Sequence, residues 1–410
     1  MTYPVRIPVL PLLFSSLALA ACGEKVSREK ADPDGGIADA GNDDDDDDDS
    51  DDSDDSDDSD DSDDSDDGSA DEDESSRLDI GDPDVDPDVE PSEDCDIPEH
   101  EPCDDEDDDL FHALGLNCPD EPQVDGTSLG STEAMGVIDA VGDSDTWAPT
   151  EGVKYVILGS GRREDLNKTS ATDLEFCSWD LGAEFDLPGE LPAPVNVQRV
   201  GNEDCAENPA LIGTGDCSNT LQEQWDAAAA GGVPGGIPGG TAFDYTEIRF
   251  SAEVPSTVTS VSYDFAFLST EYPYYFGSPF NDMYIGWLES RNWTGNISFD
   301  KDGQPISVNA GFLDYRDVPN PTAETWGFEI DQECNVAGAC VAPELAETCM
   351  KAHAATAWLT TTVGVEEHEE ITMVFAVFDL SDAILDSYVL LDNFQWGCVP
   401  GEAPSTSPVE

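Results

Sequence analysis

The feature that most limits how this chain can fold is an acidic run near its N terminus. Between Asp43 and Asp67 the chain has 19 Asp in 25 residues, first as seven consecutive Asp and then as repeated Ser-Asp-Asp. No apolar side chain offsets the entropy lost on ordering, and like charges repel along the backbone. The acidic and Pro-rich composition continues to about residue 110. We therefore predict a disordered acidic tether over residues 22–110.

The overall charge excludes one large class of partners. The chain has 15 Lys and Arg against 94 Asp and Glu, which gives a formal net charge of −79 at pH 7. Proteins that bind nucleic acid neutralise phosphates with basic side chains. A chain this acidic is therefore predicted to have no nucleic-acid partner.

The first 21 residues have the pattern of a signal peptide. A weakly basic start with Arg6 precedes the apolar run Val9–Ala20, which is too short to span a bilayer. Cys22 follows directly after Leu-Ala-Ala, which is the lipobox pattern of bacterial lipoproteins. We predict that Cys22 is lipidated and holds the protein on the cell envelope, and Gly23 favours the outer membrane or cell surface by analogy. The alternative is an ordinary secretory signal in which Cys22 is incidental.

Cysteine usage agrees with an exported protein. Setting Cys22 aside leaves ten of the 11 Cys, and an even number in an exported chain predicts up to five disulfides. Their connectivity does not follow from the sequence, although three local pairs are plausible: Cys95/Cys103, Cys205/Cys217 and Cys334/Cys340. A zinc site is disfavoured, because the chain has no Cys-x-x-Cys and only four His.

Residues 111–400 have the patterns of one β domain, followed by a tail at 401–410 that we predict to be disordered. β-branched and aromatic residues run or alternate, with turn residues between them, over 153–160, 245–254, 257–269, 282–290, 371–380 and 387–397. Helices are predicted only at 218–232 and 342–358, and a β-turn at Asp302-Gly303. The predicted fold is all-β with minor helices, an antiparallel and jelly-roll-like β-sandwich.

Three segments of this domain carry a resemblance to a known family. Residues 243–288 contain Phe-Leu-Ser, then Glu-Tyr-Pro, Gly-Ser and Asn-Asp, and the pattern continues over 296–309 and ends with Leu-Leu-Asp-Asn-Phe within 375–397. This arrangement is similar to the choice-of-anchor L domain over roughly residues 113–398. The resemblance implies an exported domain fixed to a surface and brings no known catalytic activity. Thr270 departs from it, since an acidic residue is usual beside Glu271.

Carboxylate and amide side chains are concentrated at a few strand ends. Asp382 lies among the acidic residues between the last two long strands. Calcium takes six to eight oxygen ligands of these types, so the sequence predicts a calcium site formed by Glu271, Asn281, Asp282, Asp379, Asp386, Asp392 and Asn393. The alternative is a hydrogen-bonded polar network in which Asp392 accepts backbone N–H groups and no metal is bound.

The remaining candidates concern ligands and catalysis. Tyr272, Tyr274 and Tyr275 form either an aromatic surface for an extracellular glycan or protein, or ordinary core packing. We expect a noncatalytic, calcium-stabilised binding or adhesion domain on an envelope lipoprotein. One alternative is a carbohydrate-binding or carbohydrate-active surface enzyme that uses Glu271 and Asp282 as paired carboxylates. The other alternative is a purely structural envelope component.

Overall fold

The computed structural model describes residues 95–410, with several gaps inside that range. The gaps are 120, 143–144, 170–175, 231–239, 274, 317–341, 352, 400, 402 and 410. The predicted signal peptide, Cys22 and the acidic run therefore lie outside the described residues, as do Tyr274, Cys334 and Cys340. Within the described part, no helix is long and apolar enough to cross a membrane.

Fifteen strands and one α-helix make up the described regular structure, together with short 3-10 turns. In chain order the strands up to the helix are β1 (Asp125–Leu129), β2 (Met135–Ile138), β3 (Tyr155–Gly159) and β4 (Leu187–Pro188). The helix α1 spans Gln222–Ala230. The strands after it are β5 (Thr241–Glu253), β6 (Ser260–Ser269), β7 (Met283–Glu289), β8 (Thr294–Asn296), β9 (Ile306–Ser307), β10 (Tyr315–Arg316), β11 (Ala354–Ala355), β12 (Leu359–Gly364), β13 (Glu370–Leu380), β14 (Ser387–Gly397) and β15 (Ser405–Pro408).

The strands form two antiparallel sheets. The first sheet has the order β1-β5-β13-β7-β8, with β4 beside β5 and β9 beside β7. The second has the order β10-β11-β6-β14-β3-β2, with β12 beside β6 and β15 beside β12. Consecutive long strands alternate between the sheets, since β5, β7 and β13 belong to the first and β6 and β14 to the second. The predicted all-β sandwich is confirmed, and each of its six predicted strand segments is a strand.

The core lies between the sheets and is rich in aromatic side chains. Phe375 of the first sheet packs against Tyr263 of the second, with ring centroids 4.7 Å apart, and Tyr284 packs against Phe265 at 4.9 Å. Strand β13 is buried on both faces, because its alternate residues belong to the inter-sheet core and to a second cluster under α1. This explains why its sequence is a continuous apolar run and does not alternate.

One of the two helix predictions is confirmed. The segment 218–232 contains α1, whose Trp225 packs against Phe378 of the first sheet with ring centroids 6.4 Å apart. The buried carboxylate of Asp216 accepts hydrogen bonds from the N–H groups of Thr220 and Leu221, just before the helix begins. The helix therefore begins a few residues later than the predicted segment, after a loop that Asp216 organises.

The prediction of a helix over 342–358 is wrong. Only Pro343–Leu345 is helical there, as a 3-10 turn, and the chain then continues into β11 and β12. Tertiary contacts oppose the local helix propensity, because Cys349 is bonded to Cys177 and the Thr356 N–H donates to the Phe267 carbonyl of β6. The Asp302-Gly303 turn, in contrast, is present, with Gly303 at a φ of +71°.

The cysteines form four described disulfides, one of them local as predicted. Cys205–Cys217 is confirmed, whereas Cys95 pairs with Cys398, 303 residues away, and not with Cys103. The other two disulfides are Cys103–Cys118 and Cys177–Cys349. The prediction for Cys95 fails because the N-terminal segment lies against the sandwich: the Asp96 N–H donates to Thr257 Oγ1 at 3.0 Å.

The folded part extends beyond the predicted boundaries at both ends. Asp104 is buried and accepts hydrogen bonds from the N–H groups of Val153 and Lys154, so the domain already includes residues 95–110. At the other end, β15 pairs with β12 through residues Ser405–Pro408. The segment predicted to be a disordered tail therefore contains a strand, because the backbone of Ser405–Pro408 extends the second sheet.

The Cys177–Cys349 disulfide is expected to contribute more stability than Cys205–Cys217. It closes a loop of 172 residues against 12, and the entropy that a crosslink removes from the unfolded chain grows with loop length. Replacing Cys177 and Cys349 by Ala should cost about 5 kcal/mol of unfolding free energy, against about 3 kcal/mol for Cys205 and Cys217. Denaturant unfolding of the two double variants checks this, and an equal or reversed order would contradict it.

Candidate metal centre

Five strand ends meet at one end of the sandwich. Ser269, the last residue of β6, pairs with Ser387, the first residue of β14. In the first sheet, Phe378 near the end of β13 pairs with Met283 at the start of β7, and Leu380 pairs with Ala242 at the start of β5. The loops and strand ends at this edge carry acidic side chains.

Six of these acidic residues act on one another's ionisation, and we call them the acidic cluster. Glu271 follows β6, Asp282 precedes β7, Asp379 lies near the end of β13, and Asp382 and Asp386 lie in the connection from β13 to β14. The sixth residue is Asp244 of β5, which sits in a bulge with a φ of +52° beside Phe243, the backbone partner of Asp379. The acidic cluster is thus Asp244, Glu271, Asp282, Asp379, Asp382 and Asp386.

The centre of the acidic cluster lacks the hydrogen bonds that buried carboxylates need. Asp379 has no solvent exposure, and neither of its carboxylate oxygens accepts a hydrogen bond of normal geometry, although the side chains of Ser160 and Asp282 lie close enough to affect ionisation. Glu271 is 1% exposed and its Oε2 is also without a partner. Asp282 is better supplied, with Ser387 Oγ at 2.7 Å from Oδ2 and the Leu380 N–H at 3.4 Å from Oδ1. Burying carboxylates in this state is costly unless a cation compensates.

Two buried carboxylates elsewhere in the same protein, Asp216 and Asp300, are well satisfied. Asp216 is equally buried, yet its two oxygens accept from the N–H groups of Ser218, Thr220, Leu221 and Asn296 and from the Ser218 hydroxyl. Asp300 accepts three N–H groups and so holds the Asp302-Gly303 turn. The fold therefore satisfies these two acids with its own donors, whereas Glu271 and Asp379 in the acidic cluster, and Glu151 and Asp186 outside it, each have a buried oxygen without a normal hydrogen bond.

Burial also raises the pKa of every member of the acidic cluster. It raises the pKa of Asp382 to about 6, that of Asp386 to about 7 and that of Asp244 to about 8. For Glu271 and Asp379 burial is again the main cause, the charge of Asp282 adds to it, and the pKa lies well above the usual range. Each carboxylate thus favours a partner that removes its negative charge, either a proton or a metal ion.

Few described basic side chains could neutralise the negative charge of the acidic cluster. Among the described ion pairs none involves a member of the acidic cluster. The guanidinium of Arg162 partly opposes the rise that burial causes in the pKa of Asp386, but it stacks on Trp179, 3.5 Å from the ring centroid. Asp386 itself accepts from the Trp179 N–H at 2.8 Å and from the Tyr388 hydroxyl at 3.1 Å.

Five of the seven predicted metal ligands belong to this end of the sandwich. They are Glu271, Asn281, Asp282, Asp379 and Asp386. The Nδ2 of Asn281 donates to Gln224 Oε1 of α1 at 3.1 Å, while its buried Oδ1 has no partner. Together these residues offer oxygen ligands only, which is the donor set that calcium prefers over zinc or copper.

Asp392 and Asn393 do not belong to the acidic cluster. They lie five and six residues along β14 from Ser387, about 17 Å away at the strand rise. Asp392 accepts hydrogen bonds from the N–H groups of Thr150, Glu151 and Asn393, and the Asn393 Nδ2 donates to Asp264 Oδ2 at 2.8 Å. The prediction that they join the metal site is wrong, because backbone donors already satisfy the carboxylate.

Sequence reasoning missed Asp244. Its only local signal is an acidic residue at the start of a strongly apolar strand, and its bulged backbone and its place beside Asp379 depend on the pairing of β5 with β13. Thr270, where the family resemblance led us to expect an acid, has a structural role. Its hydroxyl and its N–H both donate to the Asp386 carbonyl, at 3.0 and 3.2 Å.

The predicted aromatic binding surface is not formed by Tyr272. That residue is fully buried and packs against Phe276 with ring centroids 6.4 Å apart. Tyr275 is half-buried and packs against Phe280 at 5.5 Å. The charges of Glu271 and Asp382 raise the pKa of Tyr275 in addition to its burial, so Tyr275 borders the acidic cluster.

A second group of titratable residues lines a cavity of about 260 Å³ near the N-terminal segment. The two ring nitrogens of His100 contact Glu121 and, at 2.7 Å, Glu151 Oε1. Burial lowers the pKa of His100, but the hydrogen bond to Glu121 and the charge of Glu151 outweigh burial and raise it overall. The His100 side chain therefore links the N-terminal segment to the loop before β3.

Among the described residues, the side-chain atoms that could ligate a metal lie closest together in this second group. His100, Cys118 and Glu121 are the one set of three His, Cys or carboxylate side chains there whose ligand atoms all lie within 4.8 Å of one another. The sulfur of Cys118 is bonded to Cys103, so this set does not provide a metal site. The carboxylates of the acidic cluster are spaced more widely, and a bound ion would draw them inward.

Comparisons with family models, with curated proteins and with solved structures found no match to this chain. The similarity to the choice-of-anchor L domain therefore stays a prediction. The acidic cluster is then the feature of this structure that most constrains function.

Proposed function

We propose that the folded part is a noncatalytic binding or adhesion domain of an envelope lipoprotein, and that calcium at the acidic cluster stabilises its fold. The observation that carries the calcium proposal is the fully buried carboxylate of Asp379, whose oxygens accept no hydrogen bond of normal geometry and whose pKa burial raises despite the nearby Ser160 side chain. A carboxylate in that position is stable only with its charge removed. Calcium accepts flexible shells of oxygen ligands and suits side chains that come from several loops.

The purely hydrogen-bonded network is less well supported at this site. Asp216 and Asp392 show what such a network looks like in this protein, since each accepts several N–H groups. Asp379 and Glu271 Oε2 accept none. A proton shared between Asp379 and Asp282 would remove one charge and join the two side chains, but it would leave Glu271 Oε2 without a donor.

The burial of Glu271 and Asp282 argues against the alternative of a carbohydrate-active enzyme. Each side chain is only 1% exposed, so a sugar ring could not reach both carboxylates without the loops opening. A glycosidase needs its two carboxyl groups on either side of the scissile bond. These carboxylates are therefore better suited to hold an ion inside the fold than to act on a substrate.

Attachment to the envelope rests on the sequence around Cys22 and on the disulfides. Four described disulfides support an oxidising compartment outside the cytoplasm. Two or more acyl chains on Cys22 would hold the protein stably on a membrane. The tether would then present the domain at a distance from the lipid surface, where it could contact a glycan, a protein or another cell.

The Cys22→Ser variant tests this proposal in the native host. We expect more than a tenfold loss of the protein from the membrane fraction, because one anchoring signal or none binds only marginally, together with loss of fatty-acid labelling. The same cells should attach less well to surfaces and to one another. The double variant Cys205→Ser/Cys217→Ser is the control, since it removes two cysteines of a disulfide without leaving a free thiol and should leave labelling intact. Unchanged fractionation of Cys22→Ser would overturn the anchor, and unchanged attachment would overturn adhesion.

A glycan array and a panel of glycosidase substrates separate the two alternatives from the proposed function. Turnover of a substrate would favour the carbohydrate-active enzyme. Binding to a glycan without turnover would identify the ligand class of the proposed domain. Normal attachment together with a weakened envelope in a deletion strain would favour the purely structural component.

A further inference from the structure

The cavity near the N-terminal segment is lined by both aromatic and charged residues. Its volume is about 260 Å³, and its lining includes the aromatic residues Phe394 and Trp396 and the charged residues His100, Glu121 and Glu151. Pockets that enclose drug-sized ligands are larger, at roughly 300–1,000 Å³. This cavity therefore suits one small molecule or one chemical group of a larger molecule.

The two aromatic residues of the cavity are held in place by the second sheet and the core. Phe394 and Trp396 pack edge to face, with ring centroids 5.4 Å apart and ring planes at 88°. Phe394 is buried against Phe250 of β5, and Trp396 lies in β14 where that strand pairs with β6. Trp396 is only half-buried, so part of its surface is available to a ligand. The rings thus form two fixed, perpendicular walls.

The N-terminal segment is fastened beside these rings. It contributes Pro98 to the lining, and the Cys95–Cys398 disulfide attaches it to the chain two residues after Trp396. The cavity is therefore enclosed by segments that are covalently joined. A ligand that enters a preformed cavity of this kind does not have to order its walls, which lowers the free-energy cost of binding.

The charged residues of the cavity carry an excess of negative charge. His100 contacts Glu121 and, at 2.7 Å, Glu151 Oε1, so even a protonated imidazole balances only one of the two carboxylates. The other oxygen of Glu151, Oε2, is buried without a hydrogen-bond partner. The charges of Glu121 and Asp104 add to the rise that burial causes in the pKa of Glu151. A positively charged ligand would offset this excess.

The lining also decides which kind of cation fits. Calcium needs six to eight oxygen ligands, and aromatic rings provide none. A primary ammonium group has to replace its hydrogen bonds to water with other acceptors, whereas Glu151 Oε1 already contacts His100 and Oε2 is buried. A quaternary ammonium group donates no hydrogen bond, and the faces of aromatic rings attract it when it lies within about 6 Å of the ring centroid.

We propose that this cavity binds a quaternary ammonium group of the choline type. Trp396 and Phe394 form the walls around its methyl groups, and the excess charge of Glu121 and Glu151 attracts it. The cavity lies far from the acidic cluster, since Trp396 is nine residues along β14 from Ser387, about 30 Å at the strand rise. The inference therefore goes beyond the proposed calcium site and does not depend on it.

Isothermal titration calorimetry of the purified full chain with choline tests the inference. The titration is done in 0.15 M NaCl, which screens loose binding to the acidic run. We expect one choline per chain, and no binding of 3,3-dimethyl-1-butanol, which has the shape of choline without its charge. Trp396→Leu should weaken choline binding about tenfold, because the cation loses its best aromatic contact.

Two further variants complete the titration. Glu151→Gln, which removes the excess negative charge, should also weaken choline binding, and it replaces Trp396→Leu as the test if that variant does not fold. Trp179→Leu is the matched control, because Trp179 is an exposed tryptophan outside the cavity lining and its loss should leave choline binding unchanged.

A second measurement distinguishes a lipid headgroup from a soluble ligand. Flotation of the Cys22→Ser chain with phosphatidylcholine vesicles, with and without free choline, shows whether the cavity admits a headgroup. Flotation that free choline abolishes would support the inference and identify the lipid as a source. Choline binding in the titration without flotation would support the inference with a soluble ligand.

Three outcomes would overturn the inference. They are no heat of choline binding, equal binding of 3,3-dimethyl-1-butanol, and choline binding that is unchanged in the folded Trp396→Leu and Glu151→Gln variants. Asp379→Asn separates this inference from the proposed function, because it alters the calcium site alone and should bind choline like the wild type. Failure of choline binding would thus leave the calcium-stabilised domain in place, and failure of the calcium site would leave the cavity as proposed.

Discussion

Calcium is expected to raise the melting temperature of the protein by about 5–10 °C over the EGTA-treated protein, and Asp379→Asn should remove most of that rise. Ligand at 100 times its dissociation constant adds about 2.7 kcal/mol to the stability of a folded protein. For a domain of this size each kcal/mol shifts the midpoint by about 2–4 °C. Asp379 provides two buried oxygens without a normal hydrogen bond, so its loss removes calcium ligands directly.

The Asp379→Asn variant should also be more stable than the wild type in EGTA. Asn has nearly the same shape but no charge, so it relieves the repulsion among Asp379, Asp282 and Asp244 that exists without the ion. The expected result is therefore a crossing: the variant melts higher than the wild type in EGTA and lower in calcium. Differential scanning calorimetry in both buffers measures the crossing.

Asp392→Asn is the matched control for this experiment. Asp392 is buried and acidic like Asp379, but its oxygens accept N–H groups of the backbone. Its substitution should cost about 2 kcal/mol in both buffers, because the donors lose a charged acceptor, and should keep the calcium shift. A wild type that melts at the same temperature in calcium and EGTA would remove the metal from this account.

Without calcium, the melting temperature is expected to fall as the pH rises from 5 to 8.5. Burial raises the pKa of Asp382 to about 6, that of Asp386 to about 7 and that of Asp244 to about 8 in the folded protein. In the unfolded chain these groups ionise near pH 4. Between the two values the folded state binds more protons, so stability is greatest at the acidic end and is lost with rising pH.

The melting temperature without calcium is expected to depend steeply on pH. A fully buried carboxyl such as Asp386, whose pKa is raised on folding from 3.8 to about 7, makes the folded state about 3 kcal/mol less stable at pH 8.5 than at pH 5. Calcium should reverse the dependence above pH 6, because the ion compensates the carboxylates that protons neutralise in its absence. Thermal melts over this pH range, with EGTA and with calcium, measure both slopes.

Repulsion among the many exposed carboxylates would also destabilise the folded protein at high pH. Added salt distinguishes this effect from the ionisation of buried carboxyl groups. Repulsion between exposed charges is screened strongly in 0.5 M NaCl, whereas buried groups are screened much less. We expect the slope in EGTA to persist in high salt and to become shallower in Asp386→Asn. A melting temperature that increases with pH in EGTA would contradict the raised pKa values.

Part of the candidate calcium site could be predicted because acidic and amide residues at the ends of apolar runs are visible in the local sequence. Glu271, Asn281, Asp282, Asp379 and Asp386 stand at the ends of apolar runs, and the ends of neighbouring strands in a sandwich meet at an edge. Asp392 has the same local pattern but lies within β14, where the N–H groups of the Thr150 loop reach it. Its sequence neighbourhood does not contain that loop, so the sequence could not distinguish it from a metal ligand.

The sequence by itself determined the β-sandwich, the position of α1 and the Asp302-Gly303 turn, because apolar periodicity, caps and turn residues act over a few neighbours. Only the tertiary structure decided the partner of Cys95, the failure of the second helix and the place of Asp244 in the acidic cluster. Each of these depends on segments far apart in the chain whose contacts outweigh local propensity. The proposed calcium site depends on the tertiary structure in the same way, because only folding buries these carboxylates together.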